Sequence, residues 1–251
     1  MNKLFYSTII LSILLFSCSS NTDKGEMKEV SNAVADGQAG SVTITAEDGL
    51  EITADYYPNS KATTLIILCH QAGYSRGEYS KIAPRLVDSG FACLSIDQRS
   101  GKLANEVFNE TAKRAEAQGM STNYIDAKAD IIAAVDYIKA NTDKKIILWG
   151  SSYSASLALM VGAENVNVEK VVAFSPGEYL DNQDRVGSSI TNLGKPVFIT
   201  GGSEEYDMIV KPLESALPKG NVTALKQGIN SDHGSKTLWN NTGNAQNVWA
   251  E

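Results

Sequence analysis

Unbroken apolar runs of strand length alternate with stretches whose apolar residues fall at helical spacing. Thr64–His70 is apolar almost throughout, as expected of a strand buried on both faces. Phe91–Asp97, Ile146–Trp149, Lys170–Phe174, Pro196–Thr200 and Val222–Lys226 predict further strands. Between them, Glu78–Asp88 predicts a helix with Ile82, Leu86 and Val87 on one side. Ile125–Lys139 predicts a longer one, striped by Ile131, Ile132, Val135 and Ile138. Val42–Thr45 and Ile52–Tyr57 predict an initial hairpin turned at Asp48-Gly49. Lys236–Trp249 predicts a closing helix, weakened by its Asn and Gly content. The alternation predicts an α/β domain with a mostly parallel central sheet.

The first residues read differently. Met1-Asn2-Lys3, the apolar stretch Leu4–Phe16 and Ser17 predict a signal peptide over residues 1–17, too short in its apolar part for a stable membrane span. Leu15-Phe16-Ser17-Cys18 resembles a bacterial lipobox, with Phe16 bulkier than the usual residue there. That resemblance implies lipidation of Cys18, export, and anchoring to a bacterial cell membrane on its periplasmic or outer face. The alternative is an ordinary secretory peptide with an incidental cysteine. Ser19–Gly40 is polar and poor in large apolar residues, so residues 18–40 are expected to form the lipidated cysteine and a flexible tether. Residues 41–251 then form one enzyme-sized domain, long enough to bury a sizeable core.

Net charge changes the picture by exclusion. At −7, with no basic stripe, the chain is not expected to bind nucleic acid, and attachment to anionic lipid would have to come from the covalent lipid. With two histidines in the whole chain, no metal-ligand cluster and no cofactor are expected.

The candidate chemistry starts where a strand meets a helix. Ile146–Gly150 runs into Ser151-Ser152-Tyr153-Ser154-Ala155 and then a helix-compatible stretch. Gly150, Ser154 and Ala155 are small enough to let strand and helix approach closely around Ser152, which fits a G-x-S-x-small nucleophile turn. Ser151 is out of register, since Trp149 would take a small-residue position. An ordinary Gly-Ser-Ser turn is the competing reading. A serine nucleophile needs a base and an acid to orient it. His233, in a polar loop after the last strand, supplies a base. Glu205 follows the strand ending at Gly201-Gly202, with Glu204 and Asp207 as alternatives, or Glu204-Glu205 as a solvated helix start. The order Ser152, Glu205, His233 is the one expected after such a turn. His70, at a strand end, reads as structural, Asp232 as a loop acid, and Arg76 and Arg99 as solvated surface residues rather than anion ligands.

The turn, the order and the strand-end placement resemble the α/β-hydrolase fold, and within it the compact dienelactone-hydrolase-like group, from about residue 40 onward. Leu65–Gly73 is similar to the strand and His-Gly-type turn that forms half of an oxyanion hole there. The resemblance therefore implies helices on both faces of the sheet and an oxyanion hole made by the Ala72 and Tyr153 N–H groups. It also makes the strands of Cys69 and Cys93 neighbours, and both are expected as buried free thiols. Serine at the turn, where dienelactone hydrolases carry cysteine, implies an esterase-like relative. Gln71 departs from the usual glycine and narrows the expected pocket. The segment Ser175–Leu193 is short, so a minimal cap and a fairly open pocket are expected. The function implied is a carboxylesterase-like serine hydrolase of a small or polar ester, working through an acyl-enzyme. A peptidase or thioesterase with the same residues, or a non-catalytic ligand-binding lipoprotein that keeps the fold, are the alternatives. The oligomeric state is left open.

Overall fold

The computed structural model describes residues 33–180, 184–239 and 245–250; the expected signal peptide, Cys18 and most of the expected tether lie outside them. Among the described residues ten strands are formed: β1 Gly40–Thr45, β2 Glu51–Tyr57, β3 Thr64–Cys69, β4 Ala92–Ile96, β5 Leu103–Ala104, β6 Val107–Phe108, β7 Lys145–Ser151, β8 Val168–Phe174, β9 Val197–Gly201 and β10 Val222–Lys226. Eight of them make one sheet in the order β1-β2-β4-β3-β7-β8-β9-β10, while β5 and β6 form a separate hairpin. β1, β2 and β4 are antiparallel neighbours, and every pairing from β4 through β10 is parallel. The main helices are α1 Ala83–Asp88, α2 Glu110–Ala117, α3 Ala127–Asn141 and α4 Tyr153–Glu164. This is the α/β-hydrolase architecture.

The two-residue period of a strand explains the unbroken apolar runs. Leu65, Ile67 and Cys69 of β3 point into one core with Ile131, Val135 and Ile138 of α3 and Leu157 and Leu159 of α4. Ile66 and Leu68 point into a second core with Tyr79, Ile82 and Leu86. Both sheet faces are therefore covered, and alternation disappears from the sequence. α4 goes further: every residue from Tyr153 to Gly162 is buried. Cys69 and Cys93 are free and buried. They lie on adjacent strands, but Cys93 pairs with Ile66 and Cys69 with Ile96, and the two thiols face opposite cores. A disulfide between them is geometrically impossible.

Four expectations need correction. Glu78–Asp88 is not one helix: a 3₁₀ turn, Arg76–Tyr79, precedes α1, whose first turn holds Pro84. Proline suits the first turn of a new helix better than the interior of a longer one. Lys236–Trp249 is likewise divided among its described residues into a 3₁₀ turn Gly234–Leu238, an extended Trp239 (φ −71°, ψ 143°) and a helix Ala245–Trp249. At the other end, Ala33 and Val34 are buried in the first core, so that end of the expected tether belongs to the domain. Finally, Arg76 and Arg99 are not solvated. Arg99 is 4% exposed and bonds the fully buried Asp130 (Nη2–Oδ1 2.7 Å) and Asp48 of the β1–β2 turn (Nη1–Oδ2 2.6 Å). Arg76 pairs with Asp97 at 2.6 Å and Asp55 at 3.0 Å. Paired guanidinium groups of this kind fasten loops to the sheet, and taking away one partner would strand a buried charge.

Candidate active site

The sheet ends in a strained turn. β7 stops at Ser151, and Ser152 takes φ 59°, ψ −125° before α4 begins at Tyr153. A non-glycine residue there costs about 1–3 kcal/mol and must be held by its surroundings. The Ser152 N–H donates to Phe174 O at 2.8 Å. A Cβ on Gly150 would lie 2.3 Å from Ser154 O and 2.5 Å from Ala155 Cα, so strand and helix touch with no side chain between them. Ser154 fits because its hydroxyl is used: it donates to His70 O at 2.5 Å and accepts from Gln98 Nε2 at 2.5 Å. The Tyr153 N–H, first in α4, has no intrahelical acceptor and is available beside Ser152.

Three side chains from three strand ends meet here. Ser152 Oγ donates to His233 Nε2 at 2.8 Å, and His233 Nδ1 donates to Glu205 Oε2 at 2.6 Å. Glu205 Oε1 accepts from the Ser175 hydroxyl and from Gly202 N–H at 3.2 Å. Burial opposes ionisation of Glu205, but the hydrogen bonds from His233 and Ser175 outweigh it and hold the carboxyl below its ordinary value. Of the alternative acids, Glu204 is exposed and Asp207 pairs with Lys226 Nζ at 2.5 Å. Asp232 pairs with Lys236 Nζ at 2.6 Å. Glu205 is thus the acid in contact with the imidazole. Tyr179 meets the His233 ring edge-on, with centroids 6.2 Å apart.

The turn after β3 forms the opposite wall. Gln71, Ala72 and Tyr74 line a cleft of about 350 Å³ with Ser152, Asp232, His233 and Lys236. His70 is fully buried beneath it; its Nδ1 donates to Gln71 O at 2.9 Å and its Nε2 accepts from Gln98 N–H at 3.1 Å. Burial lowers its pKa to about 4, so it stays neutral and structural. Among the described residues no group of three or more His, Cys, Asp or Glu side chains is placed to hold a metal.

Two polar residues beside this row were missed in the sequence. Ser175 (φ 51°) links Glu205 to the Gly234 N–H, which donates to its hydroxyl at 2.9 Å. It directly follows β8, and the site collects residues from the C-terminal ends of parallel strands, so that rule would have found it. Glu78 opens the expected helix. It is instead fully buried, its Oε2 accepting from Gln71 N–H at 2.7 Å and its Oε1 from the Ser151 hydroxyl at 2.8 Å. Burial pushes its carboxyl up to about 7, against the opposing pull of those two hydrogen bonds.

The family model described as serine aminopeptidase, S33 matches residues 60–213, a stretch that includes Ser152 and Glu205 and ends before His233. No curated protein matches the chain. Among solved structures, the dienelactone hydrolase of Anabaena variabilis is similar with a TM-score of 0.65 at 18% identity, covering 85% of this chain and 93% of that one. The esterase Pf2001 of Pyrococcus furiosus gives 0.61 at 19% identity over 86% and 87%. The esterase domain of a Rhodothermus marinus protein gives 0.58 at 17% identity over 84% and 94%. At such identities the likeness establishes the fold.

Glu78 generates a stability prediction. Its native pKa, about 7, lies above the ordinary value of 4.5. The folded state therefore holds this proton more tightly than the unfolded one, and the resulting stability is full below pH 4.5 and lost as pH rises through 7. Urea unfolding of wild type and Glu78→Gln at pH 4.5 and pH 8 should show the balance moving by about 3 kcal/mol toward the variant at the higher pH. An equal difference at both pH values would contradict the raised pKa.

Proposed function

The chain belongs to the serine aminopeptidase S33 family and is a serine-type hydrolase, and from that premise we propose that it cleaves small or polar esters through an acyl-enzyme on Ser152. The observation that carries this reading is the hydrogen-bonded row from Ser152 through His233 to Glu205, with Ser152 at a positive φ. His233 takes the Ser152 proton as Oγ attacks the ester carbonyl, and Glu205 fixes the tautomer with Nε2 free to accept. The Ala72 and Tyr153 N–H groups bind the developing oxyanion; a single donor of this kind is worth about 3–4 kcal/mol of barrier elsewhere. His233 returns its proton to the leaving alcohol. It then activates the water that releases the acyl group.

The family name raises the aminopeptidase alternative. An aminopeptidase must neutralise the ammonium of its substrate. Among the described residues lining the cleft, the one carboxylate is Asp232, already paired with Lys236. That favours an uncharged ester. The polar lining and modest size of the cleft favour a short acyl group. We further propose that residues 1–17 direct export and that lipid on Cys18 attaches the enzyme to a bacterial membrane, both resting on sequence outside the described residues.

Ser152→Ala and His233→Ala should each lower kcat for a short aryl ester by about a thousandfold or more, and Glu205→Gln by a smaller but large factor, with KM little changed. Glu204→Gln and Asp207→Asn should stay near wild type. Activity surviving in folded Ser152→Ala would refute the assignment, and a panel of matched ester, thioester and aminoacyl amide substrates would identify the preferred bond. For the anchor, cells fed a labelled fatty acid should label the wild-type chain and not Cys18→Ser. Equal labelling of both would exclude Cys18 as the modified residue.

A further inference from the structure

Among the described residues, Asp97, Asp130 and Glu78 are buried acids outside the row of Ser152, His233 and Glu205; the first two face arginines, and Glu78 does not. Glu78 lies where three loops converge. Its Oε2 accepts from the N–H of Gln71, the residue before Ala72. Its Oε1 accepts from the hydroxyl of Ser151, the residue before Ser152. That same Ser151 oxygen accepts from the N–H of Ser235 at 2.8 Å, two residues past His233. Ser235 is held in turn by Trp149 Nε1, which donates to its hydroxyl at 2.9 Å. On the other side, the Trp239 Nε1–H donates to the Glu78 carbonyl at 2.9 Å.

There is little slack in this arrangement. Gly234 sits at φ 68°, and a Cβ there would lie 2.3 Å from Ser151 Oγ and 2.8 Å from Gln71 Oε1. The turn after β3, the elbow and the histidine loop are therefore in direct contact around the carboxylate. Each contact falls within two residues of a group that the hydrolytic reading uses.

We propose that Glu78 is a positioning residue for hydrolysis: by accepting from Gln71 N–H on one oxygen and from Ser151 Oγ–H on the other, it sets the separation between the oxyanion donor at Ala72 and the imidazole of His233. The inference rests on the reading of Ser152 as the nucleophile. Chemistry distinguishes this role from packing. Above pH 7, where Glu78 is ionised, its carboxylate accepts on both oxygens, whereas an amide of the same shape accepts on one and donates on the other. In Glu78→Gln the amide NH₂ must face a donor. Against Gln71 it meets an N–H. Against Ser151 it forces the hydroxyl to turn its proton elsewhere while still accepting from Ser235. Either way one of the two loops moves, and displacements well under an ångström at a reacting group are costly. Burial also raises the Glu78 pKa, so the acid is kept where an apolar side chain of similar size would sit more easily.

The test compares wild type, Glu78→Gln and Ser151→Ala as full chains, assayed at pH 8 on p-nitrophenyl acetate, with active sites titrated to completion by a fluorophosphonate. The expected result for Glu78→Gln is a kcat per titrated site about tenfold to a hundredfold below wild type, with KM changed less than about threefold. Ser151→Ala, which cuts only the arm to the histidine loop, should fall in the same direction by less, and it carries the test if Glu78→Gln does not fold. A kcat per titrated site within about twofold of wild type, with only a lowered Tm, would show Glu78 to be purely structural and overturn the inference. A wild type that neither hydrolyses the ester nor takes the label would overturn the hydrolytic reading itself, a result distinct from the preceding one.

Discussion

Ser152 cannot hold its backbone at φ 59° unaided, and much of what surrounds it can be understood as the means of keeping it there. The strain, about 1–3 kcal/mol, is met by β8 through the Ser152 N–H bond to Phe174 O. It is met again by the contact of Gly150 with Ser154 and Ala155. α4 has no solvated face along Tyr153–Gly162, so the helix that leaves the elbow is gripped by its neighbours. A turn held this firmly presents a hydroxyl at a fixed point, and the loops that follow β9 and β10 are built to meet it.

The histidine loop shows how that meeting is arranged. It carries no regular structure before Gly234, yet two serines anchor it through backbone N–H groups: Ser175 at Gly234 and Ser151 at Ser235. Ser175 also bonds Glu205, and Ser151 also bonds Glu78, so each anchor ends on a carboxylate. One carboxylate is ionised and touches the imidazole; the other is buried among the loops. Short serine side chains suit this task, having one rotatable bond before the oxygen and both a donor and an acceptor to offer.

The sequence was most informative where burial alone determines structure. The strands, the hairpin at Asp48-Gly49 and the elbow at Ser152 could be read because apolar runs and small residues encode them locally. Glu205 could be placed by counting along its strand, although only the geometry separates it from Glu204 and Asp207. Long-range polar pairing could not be read. Glu78 meets Ser151 across 73 residues, Ser175 meets Glu205 across 30, and Arg99 meets Asp130 across 31. In one dimension each of these looks like an ordinary polar residue in a loop or helix, which is why the pattern places Glu78 at the start of a helix and both arginines in solvent. The split of Glu78–Asp88 has a local origin instead, since Pro84 suits the first turn of a new helix.

Whether Ser152 is an activated nucleophile decides the hydrolytic reading. Incubating the folded domain, from Ala33 onward, with a fluorophosphonate and reading the adduct by intact mass and peptide mapping addresses that directly. One adduct per chain is expected, on Ser152, at a rate that collapses in His233→Ala. A folded wild-type domain that stays unlabelled, or carries the adduct on another serine, would contradict that reading.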